Sequence, residues 1–356
     1  MANLRQVAAQ SGVSLTTASR ILNGHPGFGE ATVKLVWDAA HALGYAPDHT
    51  ARSLRTKAGN APPRHSTKII AYVTYAGGGW NQENEIEFHS RRCFLVCQEA
   101  IKQGLHALPY WYDRQRAFAC TPILDGLVDG IIAGTPHLEI VEILRKRAPL
   151  VLMDVPFAPD ISRTPVVNVD IQWAVSRVLQ HLRELGHDRI GFFRVDAKTN
   201  PCITPLCTHL QDALERFGIS LHPAFQRAYA ITPEMHDEMM TEFARVVLPL
   251  VQRREISAVV CPSDVHAVTL IEKLQALGLS VPADLSVTGF GSEFVGENAA
   301  DSRGLTGIRY PWAALIAAAV RLLATALKQS QEMFEQVLVK PEFVVGSSTG
   351  APPGKP

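Results

Sequence analysis

At 356 residues, 47% hydrophobic and 19% charged, the chain is too long for one ordinary core and too apolar to stay disordered, so a small domain plus a two-lobed one is expected. The formal net charge is zero, yet residues 1–57 hold six Lys/Arg against three Asp/Glu, which puts a head at +3 before a body at −3 and suits a basic nucleic-acid module on a regulatory one. No run approaches the roughly 18 apolar residues that span a bilayer, MANLRQVAAQ has no continuous signal-peptide core, and Cys93, Cys97, Cys120, Cys202, Cys207 and Cys261 lack C-x-x-C spacing, so no membrane contact and no zinc or disulfide scaffold is expected in what reads as a cytoplasmic protein.

Leu4, Val7 and Ala8 follow i, i+3, i+4 spacing and stop at Ser11-Gly12, which predicts a short amphipathic helix closed by glycine. Ser14 is placed to cap a second helix from about Leu15 to Leu22, with Ala18, Ile21 and Leu22 as its apolar stripe and Asn23-Gly24 as its stop. Two short helices about a tight turn predict a helix-turn-helix. A third, from about Glu30 to Leu43, carries Val33, Val36, Ala40 and Leu43 on one face and ends at Gly44, giving an all-α three-helix head.

With the second helix's stripe turned inward, Leu15, Thr16 and Arg20 point outward. Arg can pair bidentately with guanine, Thr can hydrogen-bond a base edge or phosphate, and Leu can press on a thymine methyl. Ser14, Thr17, Ser19 and Asn23 are placed for phosphates and register. Spacing alone leaves open a helical hairpin that never touches DNA.

The run from Val13 through Gly24 (VSLTTASRILNG) follows the pattern V-S-x-x-T-V-S-R-V-L-N-G. Leu43-Gly44-Tyr45 through Ala51-Arg52-Ser53-Leu54 follows L-G-Y-x-P-N-x-x-A-R-S-L, with Asp48 where Asn is usual. On these motifs residues 1–57 resemble the DNA-binding head of LacI/GalR-family transcriptional regulators. The resemblance implies a homodimer on double-stranded operator DNA, most often a repressor, under the control of a small-molecule effector. It also implies a hinge helix over about 48–56, with Leu54 wedged into a minor-groove step and Ala51, Arg52 and Arg55 beside it. Unstacking a step costs a few kcal/mol and is offset by closer contact along bent DNA. An ordinary packing role for Leu54 stays open.

Residues 58–67, with their Pro, Gly and polar residues, predict a linker. From Lys68 onward short apolar strands alternate with helical periodicity: strands at 69–73, 106–110, 130–133, 150–153, 166–169, 189–193, 258–261, 285–290 and 343–345, and a helix near 86–103. Repeated β-α-β units predict an α/β body of parallel sheets covered on both faces, in two lobes. Ligands bind outside the carboxyl ends of such strands, so a cleft between the lobes is expected. Gly77-Gly78-Gly79 lacks the Gly-Lys-Ser/Thr of a phosphate loop and reads as a cleft-edge loop. With no H-E-x-x-H and no G-x-S-x-G, no catalytic residue, metal site or cofactor is expected.

The resemblance continues through Leu127-Val128-Asp129-Gly130-Ile131-Ile132, Leu185-Gly186-His187-Asp188-Arg189-Ile190 and the Val281 to Phe290 run. It implies a periplasmic-binding-protein-like effector and dimerisation domain over 68–346, with chain crossovers near 168, 291 and 326 and a flexible tail over 347–356. The dimer surface is expected to include the helix near Phe88 to Ala100, and a tail without heptads gives no tetramer-forming helix. Departures fall at the ligand: Leu206 stands where sugar-binding members carry Arg, Ser263-Asp264 replaces Asn-Asp, and Gly291 replaces Asp. Cleft candidates are Tyr75, Trp80, Asp154, Arg194 and Asp264, because aromatics stack on sugar faces and carboxylates accept hydroxyl protons; a cap or ion-pair role for the aspartates stays open. A carbohydrate-like effector is the expectation. Two alternatives share the α/β body: a solute-binding receptor, which needs an export signal, and a sugar-modifying enzyme, which needs a convergent acid, base or nucleophile.

Overall fold

The computed structural model describes residues 4–22, 27–43, 66–75, 82–112, 127–134, 138–155, 164–196, 204–230, 235–291, 304–329 and 335–354. The chain divides between His65 and Ser66 into a small unit and a large one. Asn23, Trp80 and the expected hinge residues Ala51, Arg52, Leu54 and Arg55 lie outside the described residues.

In the small unit, α1 (Leu4–Ser11), α2 (Leu15–Leu22) and α3 (Glu30–Ala42) enclose one core. Gly12 takes φ +67° just past α1, so Val13 N–H reaches back to the Ala8 carbonyl at 3.1 Å and the chain turns at once. Ser14 then caps α2, its Oγ accepting the Thr17 N–H at 3.0 Å. Val7, Ala8, Ala18, Ile21, Leu22, Val36, Ala39 and Ala40 are buried together, with Leu4, Val13, Phe28, Val33 and Leu43 at their margin.

The large unit holds two six-stranded sheets. The first runs β11-β5-β4-β3-β1-β2 and is wholly parallel, formed by β1 (Ile69–Tyr75), β2 (His106–Tyr112), β3 (Gly130–Gly134), β4 (Leu150–Met153), β5 (Val166–Val169) and β11 (Gln336–Val339). Alternate side chains of β1 face opposite ways. Ile70 and Tyr72 pack under α4 (Gln82–Lys102) and α10 (Trp312–Gln329), whereas Ala71 and Val73 pack with Ile140, Val141 and Leu144 of α5 (Leu138–Arg145).

The second sheet runs β12-β10-β9-β8-β6-β7. Its strands are β6 (Arg189–Phe192), β7 (Ser220–Leu221), β8 (Ala258–Val260), β9 (Ser286–Gly291), β10 (Thr306–Arg309) and β12 (Glu342–Val344), the last antiparallel to β10. Helices α6 (Ile171–Glu184), α7 (Thr204–Phe217), α8 (His236–Gln252) and α9 (Asp264–Ala276) share its core. Among the described residues no helix is long and apolar enough to cross a membrane.

The first crossover lies between β5 and α6, where the expectation near 168 put it. The other two differ from expectation. Gly291 ends β9, and the chain then adds β10 to the same sheet, so the second crossing comes at Tyr310-Pro311, before α10. α10 runs past residue 326, and β11 pairs with β5 in the first sheet, so the third crossing is Lys340-Pro341. β10, Thr-Gly-Ile-Arg, offers no apolar run, whereas Val337-Leu338-Val339 of β11 was a short apolar signal that went unread; β11 is an edge strand whose side chains alternate between exposed and half-buried. All three crossings leave from carboxyl ends of strands, so the carboxyl edges of both sheets meet at the hinge, where Ile171 and Tyr310 pack against both cores.

The segment expected as a flexible tail is instead bound to the second lobe over residues 347–354. Fully buried His187 accepts at Nδ1 from Ser257 Oγ (2.8 Å) and donates from Nε2 to the Gly350 carbonyl (3.0 Å), since a carbonyl can only accept. His181 Nε2 pairs with Thr349 Oγ1 at 3.0 Å. Composition suggested a loose end because these residues are small and polar, yet Ser348, Thr349 and Gly350 each meet a buried partner. Ser348 Oγ donates to the Val287 carbonyl at 2.6 Å and accepts the Thr306 N–H at 2.9 Å, both in the interior. Replacing Ser348 with Ala should therefore lower stability by about 2 kcal/mol, read as a fall in the urea midpoint at unchanged slope.

Candidate nucleic-acid interface and effector cleft

On the head, the α2 side chains opposite the core form the candidate interface. Leu15 is 43% exposed, Thr16 and Arg20 are exposed, and Thr17 and Ser19 are half-buried. Ser14 is exposed but already engaged, its Oγ 2.8 Å from Thr17 Oγ1, so these two hydroxyls shape the helix start as well as its surface. The Arg20 guanidinium lies 5.4 Å from the Phe28 ring centroid. Phe28 went unnoticed in the sequence; an aromatic residue between the α2 stop and α3 was the available signal. A cation resting on that ring is held extended without an acidic partner.

In the first lobe, Asp154 follows β4 with φ +55°, a conformation Asp tolerates better than most residues. Asn168 of β5 holds this turn, accepting the Val155 N–H at 3.0 Å and donating to the Val155 carbonyl at 2.9 Å. The Asp154 carboxylate stands 3.9 Å from Arg92 of α4. Burial pushes its carboxyl above the usual range, against the pull of the Arg92 charge. The Arg92 guanidinium lies 3.4 Å from the Trp312 ring centroid, over Tyr72, whose phenol burial also pushes up. Neither Arg92 nor Trp312 was singled out from sequence. The signal was there: Arg92 continues the buried Val96 and Ala100 stripe, where a charge is out of place. Tyr75 ends β1 opposite Tyr112, and nothing is described of its side chain.

In the second lobe, Arg194 follows β6 and its carbonyl accepts the Tyr229 N–H at 2.8 Å. Asp264 opens α9 over Gly289, where a Cβ would collide with its carboxylate. Its Oδ1 accepts no hydrogen bond among the described residues, and burial lifts its pKa to about 7, opposed by the Arg309 charge. Beside it His266 is buried against Phe193 (5.1 Å) and His236 (5.3 Å), and burial keeps it neutral down to about 3. Leu206 is 4% exposed in the second core, so the arginine that the family pattern would put there is replaced by packing. Asp154 thus stands past a strand's carboxyl end in the first sheet, and Arg194 and Asp264 past such ends in the second. Carboxyl and guanidinium groups on two carboxyl edges can exchange hydrogen bonds with a polar small molecule, and the hydroxyl–imidazole contact beside them, Ser263 with His266, belongs to the cap of α9.

The Asp264 shift makes a signed prediction. Its folded pKa lies above the unfolded value, so the stability it contributes at low pH is lost as pH rises from about 4 through about 7. Asp264→Asn, which cannot ionise, should match the parent near pH 4 and exceed it above pH 8 by on the order of 2–4 kcal/mol. Paired urea titrations across that range check this, and the comparison cancels the opposite trend of His266.

Residues 3–48 match the profile of bacterial regulatory proteins of the lacI family, and residues 179–349 match a periplasmic-binding-protein-like domain. The HTH-type transcriptional regulator MalR of Streptomyces coelicolor is 28% identical over 99% of this chain and 98% of its own. The HTH-type transcriptional repressor PurR of Aliivibrio fischeri is 25% identical, covering 98% of each. Among solved structures, a lac repressor dimer bound to operator and an anti-inducer superposes with TM-score 0.72 at 20% identity, over 98% of this chain and 99% of that one. The transcriptional regulator CelR in complex with cellobiose gives 0.66 at 21%, over 98% and 100%. Joined in this order along one chain, such a head and such a body are similar to those of LacI-family transcriptional regulators.

Proposed function

We propose that this regulator represses transcription as a homodimer on a two-fold-related operator, and that a small polyhydroxylated effector in the cleft sets its grip. It acts by binding rather than by catalysis, in the cytoplasm where its DNA target lies. The observation that carries the reading is the outward set Leu15, Thr16 and Arg20 on a helix whose opposite stripe is locked in the core. That is the geometry a major-groove reader needs, with Ser14, Thr17, Ser19 and Asn23 on phosphates. Ala51, Arg52, Leu54 and Arg55 would meet the minor groove at the operator's centre. The relatives support the rest, one solved as a repressor dimer on operator and another with cellobiose bound.

A dimer surface is suggested on the first lobe. Phe94 (61% exposed) and Ile101 (66%) on α4, with Trp111 (51%) on the same side of the edge strand β2, form an apolar display that a monomer rarely leaves bare. Two such lobes, joined there, would present two heads to one duplex. An effector that binds one lobe angle better than another then shifts the operator-competent population.

Gel shifts with the gene's own upstream DNA against random DNA at moderate salt test the reading; equal affinity for both would sink it. Arg20→Ala should cost about 1–3 kcal/mol of base discrimination at its contact while leaving phosphate-driven binding in place. Leu54→Ala should weaken specific binding and reduce DNA bending. Phe94→Glu should shift sedimentation toward monomer and weaken operator binding, because two tethered half-site contacts become one.

A further inference from the structure

Arg92, 2% exposed, is the most deeply buried arginine or lysine among the described residues of the body, and the DNA-binding reading gives it no task. Its backbone sits on α4 in line with Val96 and Ala100, but its guanidinium reaches two groups that stand just beyond strand ends. Trp312, 3.4 Å away, is the first α10 residue after the second crossover, and Asp154, at 3.9 Å, is the first residue after β4. The charge is thereby fixed at the carboxyl edge of the first sheet, where the cleft opens. Stacking on an indole engages the face of a guanidinium and turns recognition to its in-plane N–H fork, which matches a carboxylate or a phosphate. The Asp154 carboxylate, at 3.9 Å, faces the same charge.

The opposite rim adds to the same sign. Arg194 stands there with an Nε that donates no hydrogen bond among the described residues, whereas Asp264 is held toward its neutral form. With Leu206 in the core, the guanidinium stacked on an aromatic ring comes from the first lobe, and Arg194 of the second adds to its charge. We propose that the effector is a polyhydroxylated anion, a sugar acid or sugar phosphate, whose anionic group is gripped by Arg92 on Trp312 while a neighbouring hydroxyl donates to Asp154. The proposal rests on reading the cleft as the effector site and names the chemistry that site selects.

Thermal melts and operator gel shifts on the full-length protein test it with D-gluconate, D-glucuronate and D-glucose 6-phosphate, each at millimolar concentration beside neutral D-glucose and D-sorbitol. At least one anion should raise the melting temperature by about 3 °C or more and change operator affinity, while its neutral counterpart does neither. The gluconate, glucuronate and phosphate arms tell a carboxylate from a phosphate. Arg92→Gln should lower affinity for the active anion roughly 10- to 100-fold, and Arg92→Lys, which keeps the buried charge should the Gln variant fold poorly, should lower it less. A purely structural Arg92 would depress both melting temperatures but leave the ratio of anion to neutral affinity unchanged, and that result overturns the proposal. So does a panel in which no anion shifts the melt. Neutral sugars that shift both melt and operator binding would sink the anion while keeping the regulator; failure to prefer operator DNA, with anion-selective melts intact, would do the reverse.

Discussion

Three chain crossings, all leaving from carboxyl ends of parallel strands, decide how the body can work. Because β5, β10 and β11 each hand the chain to the other lobe at that end, the residues that follow strands in both sheets are drawn toward one hinge. A parallel sheet covered on both faces offers side chains to a ligand only past its strand ends. Asp154, Arg194 and Asp264 are such residues, and their burial follows from the same topology rather than from any local preference. The hinge itself is narrow. Ile171 and Tyr310 belong to the margin of both cores, so a change of lobe angle must be absorbed at the crossings rather than by repacking either interior.

Charge near this hinge is held by aromatic faces. Arg92 stacks on Trp312, Lys340 of the third crossing lies 4.5 Å from the Trp173 ring centroid on α6, and Arg177 of α6 lies 4.5 Å from the Phe343 ring on β12. Each pair joins a segment beside a crossing to a helix or strand near it. A cation on a ring keeps much of its stabilisation as geometry shifts by a few tenths of an ångström, whereas a short hydrogen bond does not, so such contacts suit a joint that must move. They also avoid a cost. A buried ion pair loses several kcal/mol to desolvation that only good geometry returns, and the 3.9 Å separation of Arg92 and Asp154 is poor geometry for that purpose. The indole offsets part of what Asp154 cannot.

What could be read from sequence divides along physical lines. Strands whose every residue is buried, such as Leu150–Met153 and Val166–Val169, announce themselves as apolar runs, and the head's helices announce themselves by stripe, cap and glycine. Their carboxyl ends were therefore legible too, which is why Asp154 and Asp264 could be named. β10 lacked that signal and the three-residue apolar run of β11 went unread, and two crossovers were misplaced with them. The bound tail was hidden for another reason: its worth lies in hydrogen bonds to Ser257, Ser286, Thr306 and two histidines that only the fold brings near. Arg92 and Asp154 likewise meet through tertiary structure alone, so a charge that looked like an irregularity in one helix became part of a site only once the sheet was assembled.

The head explains why a modest change in the body can matter at DNA. Among its described residues only eight side chains are buried, four of them alanines, a small core for an independent domain. Such a unit gains much of its fixed orientation from what it binds. Coupling between sites is typically about 1–3 kcal/mol, too little to reorganise a large interior but enough, on the proposed reading, to change operator affinity roughly 5- to 150-fold. The effector need only prefer one lobe angle by that margin. A cleft built from desolvated charges is suited to supply it, because each charge satisfied by a ligand on closure is worth more in a dry site than it would be in water.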